Sequence, residues 1–139
     1  MTQAAVAVVQ AYYDALAQGD IEGLFAVLAA DAVLEEAASL PYAGVYEGHG
    51  AWREFATVFN QVWQDPAIAV ESIADAGDYV IGLARLRAKS RHTGQTIDMP
   101  LAEFFFLEAG KIKKLLPFYW DTAAVVRAIA PITNDPASH

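Results

Sequence analysis

The sequence predicts an α+β fold: a curved antiparallel sheet packed against three helices from the N-terminal half, plus a short C-terminal helix. Three observations carry that reading. Apolar residues recur at helical spacing early in the chain, beginning with Ala5, Val9, Tyr12 and Leu16. Later runs are rich in β-formers and broken by short turn signals at Ala76-Gly77, Arg91–Gly94 and Glu108–Lys111, the punctuation of an antiparallel meander. Two of these runs, Ile97–Leu107 and Ile112–Trp120, flank Glu108-Ala109-Gly110-Lys111 and read as a hairpin.

In order, Thr2 caps a helix over Gln3–Gln18, which Gly19 ends, and Asp20 caps a second over Ile21–Ala29. Asp31–Glu36 reads as a short strand, and Val45–Glu47 as another beyond a loop containing Pro41. Gly48-His49-Gly50 opens a third helix, Ala51–Trp63, whose buried side carries Trp52, Phe55, Val58, Phe59 and Val62, and Asp65-Pro66 stops it. Ala67–Asp75, Asp78–Ser90 and the hairpin supply four consecutive strands. Asp121 and Thr122 offer a cap for a last helix, Ala123–Ala130, ended by Pro131.

Composition bounds the function. The 139 residues fit one domain over 1–130 with a tail at 131–139, long enough to bury a proper core. A net charge of −8 argues against nucleic acid and anionic membrane surfaces, which demand clustered cations. Without cysteine there is no disulfide or thiolate chemistry, and the three histidines lack ligand spacing, so no metal is expected. With no basic-then-apolar leader and no run of membrane-spanning length, a soluble cytoplasmic protein is the expectation.

The hairpin poses the chemical question. Alternation puts Ile97, Met99, Leu101, Glu103, Phe105 and Leu107 on one face, with Glu103 the lone charge. A carboxylate there must be paired, protonated or beside a wet cavity. One curved sheet against helices leaves a pocket in which Glu103 is a candidate, and pairing across the sheet with Arg85 or Arg87 is the alternative.

The stretches VVQAYYDALAQGDIEGLFAVLAADAVLEE, LPYAGVYEGHGAWREF and GKIKKLLPFYWDTAAVVRAI resemble the nuclear-transport-factor-2-like superfamily, most closely its SnoaL-like polyketide cyclases and ketosteroid-isomerase-related proteins. The resemblance spans Val6 to Ile129 and implies a cone-shaped, cystatin-like α+β barrel around an apolar pocket. It implies cofactor-independent acid/base chemistry on a small apolar, cyclic or polyketide-like molecule: an isomerase, a cyclase or a related lyase or hydrolase. Tyr12 matches the isomerases' oxyanion-donating tyrosine, its alternative being core packing. Glu36 falls where they carry the proton-shuttling aspartate; alternation alone does not choose between Glu35 and Glu36. Counting back from Gly110, the second oxyanion donor falls at Ala102, with Glu103 its neighbour. Asp121 is similar in position to the cyclase acid/base aspartate, and it is also a good helix cap. The cyclases' histidine on the first hairpin strand has no counterpart, and the strand Ala84-Arg85-Leu86-Arg87 lacks the carboxylate of the epoxide hydrolases. Tyr42, Tyr46, His49, Trp52, Phe55, Met99, Phe118 and Trp120 are candidate pocket residues. A noncatalytic binding domain is the competing reading, and a homodimer through the open sheet face is compatible with both.

Overall fold

The computed structural model describes residues 2–129; the expected tail at 131–139 and the capping side chain of Thr2 lie outside the described residues. Helix α1 (Thr2–Gln18) is followed by α2 (Ile21–Val27), β1 (Leu28–Glu36) and β2 (Gly44–Glu47). Then come α3 (His49–Val62), β3 (Trp63–Asp75), β4 (Val80–Ser90), β5 (Thr96–Glu108), β6 (Lys111–Tyr119) and α4 (Thr122–Ile129). The chain leaves α1 through bonds from the Gly19 and Asp20 amides to Leu16 O and Ala15 O, and the Asp20 carboxylate then accepts from Gly23 N at 2.9 Å to start α2. Two expected boundaries move furthest. Leu28 enters β1 directly from α2, and Trp63, not Ala67, opens β3.

The six strands form one sheet in the order β2-β1-β6-β5-β4-β3. Every pairing is antiparallel except β1 with β6, which run parallel. The β5–β6 hairpin closes through Ala109 and Gly110, both at positive φ (53° and 77°), the geometry whose twist suits a two-residue hairpin loop.

The expected barrel is not formed: the sheet stays open, with β2 and β3 at opposite edges. The reason is local. Strand β2 offers four residues to a partner, and α3 links β2 to β3 in the chain and packs on β1, β2 and β3. The helix thus fills the gap that hydrogen bonds would have to bridge.

Alternation on β4 and β5 sorts the sheet cleanly. Val80, Ala84, Leu86, Ala88, Ile97, Met99, Leu101 and Phe105 are buried, whereas Arg85, Arg87 and Asp98 face out. Two apolar clusters result. One gathers Val9, Tyr12, Tyr13 and Trp52 with Phe105 and Leu115, and the other gathers Tyr42, Trp63 and Leu86 with Met99 and Val125. Trp52 ties α3 to β1 by donating from Nε1 to Ala32 O at 2.9 Å. No helix among the described residues is long and apolar enough to cross a membrane.

Candidate active site

A cavity of about 560 Å³ lies between the sheet and helices α1, α2 and α3. Its wall takes Tyr12 and Ala15 from α1, Leu24 from α2, and Trp52, Phe55 and Phe59 from α3. From the sheet come Leu34 and Glu36 of β1, Ile68 of β3, Leu86 of β4, Leu101 and Glu103 of β5, and Leu115, Pro117 and Tyr119 of β6. Asp20, exposed at the α1–α2 junction, stands at its rim.

Glu103 faces this cavity and is only 4 % exposed. The arginines that alternation offered as partners are on the other side of the sheet, where Arg85 and Arg87 both pair with Asp98. What Glu103 receives instead is the hydroxyl hydrogen of Tyr13, at 2.8 Å. The sheet makes room for that bond. Opposite Glu103 stand Gly82 on β4 and Pro117 on β6, neither with a long side chain. A Cβ at position 82 would lie 2.2 Å from the Tyr13 oxygen, so the bare strand is what admits the phenol.

Glu36 points inward as well and is 5 % exposed. Its Oε1 is buried without a hydrogen-bond partner among the described residues. Glu35, its neighbour, faces out toward Lys114. The chemistry of the two buried acids follows from this placement. Desolvation and then the nearby Glu103 charge push the Glu36 carboxyl up to about 8. Desolvation raises Glu103 to about 7, with the Tyr13 hydrogen bond pulling the other way. Glu103, with a donor, therefore takes the negative charge more readily than Glu36, which has none among the described residues. Tyr12 is held well above an ordinary phenol by burial, then by the charges of Glu103 and Glu36, so it stays a protonated donor.

The predicted site residues divide. Tyr12, Glu36, Glu103, Trp52 and Phe55 come together at the cavity. Tyr42 stands one layer back: its hydroxyl shares a 2.8 Å bond with that of the cavity residue Tyr119 and accepts from Trp63 Nε1 at 3.3 Å. Tyr46 donates to Tyr42 O at 3.0 Å. His49 stacks on Phe25 and turns its Nε2 to the Ala29 carbonyl oxygen, 3.1 Å away. Met99 is buried in the second cluster. Asp121 accepts from Ala124 N at 3.1 Å as the cap of α4 and lines a separate surface depression, so the cap is what the geometry displays. Phe118 and Trp120 are 57 % and 78 % exposed, away from the cavity.

Sequence reading missed Tyr13, Gly82 and Tyr119. The one available signal was a glycine in the middle of a strand pattern, which marks a close backbone approach. Among the described residues no group of three His, Cys, Asp or Glu side chains is placed to hold a metal.

Known structures share this architecture. An NTF2-like protein from Burkholderia thailandensis is 28% identical with a TM-score of 0.84, covering 91% of this chain and 97% of its own. One of unknown function from Burkholderia pseudomallei has a TM-score of 0.85 at 21% identity, with 92% and 98% covered. A protein assigned as a SnoaL-like polyketide cyclase, from Jannaschia sp., reaches 0.80 at 22% identity, with 94% and 95% covered. A search of curated proteins returns no match. The family model for the SnoaL-like domain matches residues 9–115, from within α1 into β6 and so across Tyr12, Glu36 and Glu103. The chain belongs to the SnoaL-like family, on the NTF2-like fold.

Proposed function

We propose that the protein is a cofactor-independent acid/base enzyme that moves a proton on a small apolar, cyclic or polyketide-like molecule held in this cavity. One observation carries the reading: two carboxyl groups, Glu36 and Glu103, are buried in the same apolar cavity and both displaced upward, and of the two Glu103 alone has a hydrogen-bond donor among the described residues. The Tyr13 bond favours the charge on Glu103, which makes it the base that takes a proton from carbon beside a carbonyl. Glu36, still protonated, and Tyr12 then donate to the oxygen that gains charge. The proton returns to carbon from the Glu103 carboxyl. This inverts the roles that the resemblance assigns to the two acids. Enolate formation opens both isomerisation and intramolecular aldol closure, so one assay addresses either outcome.

The test is deuterium incorporation next to the carbonyl of a bicyclic ketone such as 2-decalone in D2O, followed by NMR. Wild type accelerates exchange, and Glu103→Gln lowers it by about 100-fold or more, the usual worth of a positioned base. Binding of the ketone without accelerated exchange rejects the enzyme in favour of the noncatalytic binding domain.

A homodimer through the outer sheet face is part of the same reading. There Tyr79, Phe104 and Phe118 form an aromatic ladder with centroids 5.4 and 5.0 Å apart. A light-scattering mass near that of the single 15.0 kDa chain rejects it.

A further inference from the structure

The charge inventory of the cavity is one-sided. Its ionisable lining consists of Asp20 at the rim, Glu36 and Glu103 inside, and the phenols of Tyr12 and Tyr119; no lysine, arginine or histidine lines it among the described residues. Nearby cations are engaged on the outer surface, Arg85 and Arg87 with Asp98, Lys113 with Asp31 and Lys114 with Glu35. Buried acids are usually paired, because an uncompensated charge in a low-dielectric site is expensive. Here Glu103 has a phenol and, among the described residues, Glu36 Oε1 has no partner, although the side chain is buried and lines the cavity.

Ligands of different charge meet this wall differently. An anion adds a further negative charge with no cation to answer it. A neutral body fills the apolar space and leaves the acids as they were. A cation is attracted to the charge on Glu103 and favours loss of the Glu36 proton, after which the Glu36 carboxylate receives its N–H. The protein's half of the desolvation cost is already incurred in the free fold, so that attraction is not spent on stripping water from the acids. The faces of Tyr12, Trp52, Phe55, Phe59 and Tyr119 in the same wall offer the aromatic surface that cations favour.

We infer that the cavity takes a compact, ring-bodied ligand bearing a basic nitrogen, whose N–H is received by the Glu36 carboxyl in the cavity wall. This rests on the cavity being the substrate site proposed above; it narrows that substrate to cationic molecules and, with Glu36 holding the ammonium, leaves Tyr12 as the donor to the substrate oxygen.

Three probes with one hydrocarbon cage and three charges test it by titration calorimetry on the full chain at pH 7 and low salt: 1-adamantanamine, 1-adamantanol and 1-adamantanecarboxylate. The expected result is an amine affinity about 10- to 100-fold above that of the alcohol, the range of one charge-assisted hydrogen bond, with no detectable carboxylate binding. Glu36→Gln is expected to bring the amine to within about 3-fold of the alcohol while the alcohol hardly changes, since the amide keeps the shape but cannot give up a proton to carry charge opposite a bound ammonium. Glu103→Gln, in a second preparation, lowers the amine preference less. Alcohol binding as tightly as amine, measurable carboxylate binding, or an amine preference that survives Glu36→Gln overturns the inference. If alcohol wins while ketone exchange persists, only the cation assignment falls; if no probe binds and exchange is absent, the proposed function falls with it.

Discussion

Glu36→Gln isolates what burying this acid does to the fold. The folded carboxyl is raised from 4.5 to about 8. Below pH 4.5 both folded and unfolded chains hold the proton, and the group contributes nothing to pH dependence. Above it the unfolded chain releases its proton while the folded chain keeps it, so the folded state binds more protons and stability falls as pH rises. The fall ends once the folded group also ionises, near pH 8. At about 1.36 kcal/mol per pH unit, the full interval corresponds to roughly 4–5 kcal/mol. Part of the displacement comes from the Glu103 charge, which titrates in the same window, so roughly 2–4 kcal/mol is the share Glu36→Gln should remove. Urea unfolding at half-unit steps from pH 5 to pH 9 reads it out. Wild type should lose stability across this range, and the variant should lose less. The difference should be small at pH 5 and reach a few kcal/mol in the variant's favour by pH 9. A wild-type stability that is level or rising from pH 5 to 8, or two parallel profiles, would refute the claim that Glu36 is buried without a compensating partner.

Two further outcomes are expected. Gly82→Ala places a Cβ 2.2 Å from the Tyr13 oxygen and 2.8 and 2.9 Å from two of its ring carbons. The ring has little room to retreat, being edge-packed on Tyr12 and Phe105 with centroids 5.5 Å away in each case. Overpacking of about 1–3 kcal/mol and a weakened bond to a buried carboxyl outweigh the ~0.5–1 kcal/mol that alanine gains over glycine in a strand. A net loss of about 2–4 kcal/mol should appear in chemical denaturation, and a variant as stable as wild type would show that the strand does not need to be bare there. Asp121→Ala removes the α4 cap and should cost about 1 kcal/mol while leaving ketone exchange untouched. A large drop in exchange at unchanged stability would return Asp121 to the chemistry.

Sequence pattern carried as far as local rules reach. Alternation through Ile97, Met99, Leu101, Glu103 and Phe105 assigned the inward face of β5 correctly, because a half-buried strand repeats every second residue. It could not say whether the inward charge met an arginine or a phenol. That depends on Tyr13, ninety positions away, and on Gly82 having no side chain. The pairing of β1 with β6 is likewise a long-range choice. Nothing in Leu28–Glu36 or Lys111–Tyr119 announces a parallel neighbour, and that pairing is what carries Glu36 to the same cavity as Glu103. Asp65-Pro66 was read as a helix stop and lies within β3, because an edge strand tolerates a residue without an N–H. Aromatic content misled at Phe118 and Trp120, since composition does not distinguish an inner wall from an outer face.

The open sheet has a consequence beyond the cavity it helps to form. A closed barrel has no free strand edges, whereas this sheet leaves two unpaired among the described residues, and a long regular edge invites another chain to add a strand. Strand β2 offers only four residues. Strand β3 has thirteen, but its register breaks between Gln64 and Ala67 and again between Val70 and Ser72. Asp65 adds a left-handed φ of 51°, and Pro66 withholds an amide hydrogen. The irregular stretch Pro66–Ala67 that borders the cavity also spoils the template for intermolecular β-pairing. Straightening that edge to enlarge or reshape the pocket would therefore trade selectivity for a surface on which aggregates can grow.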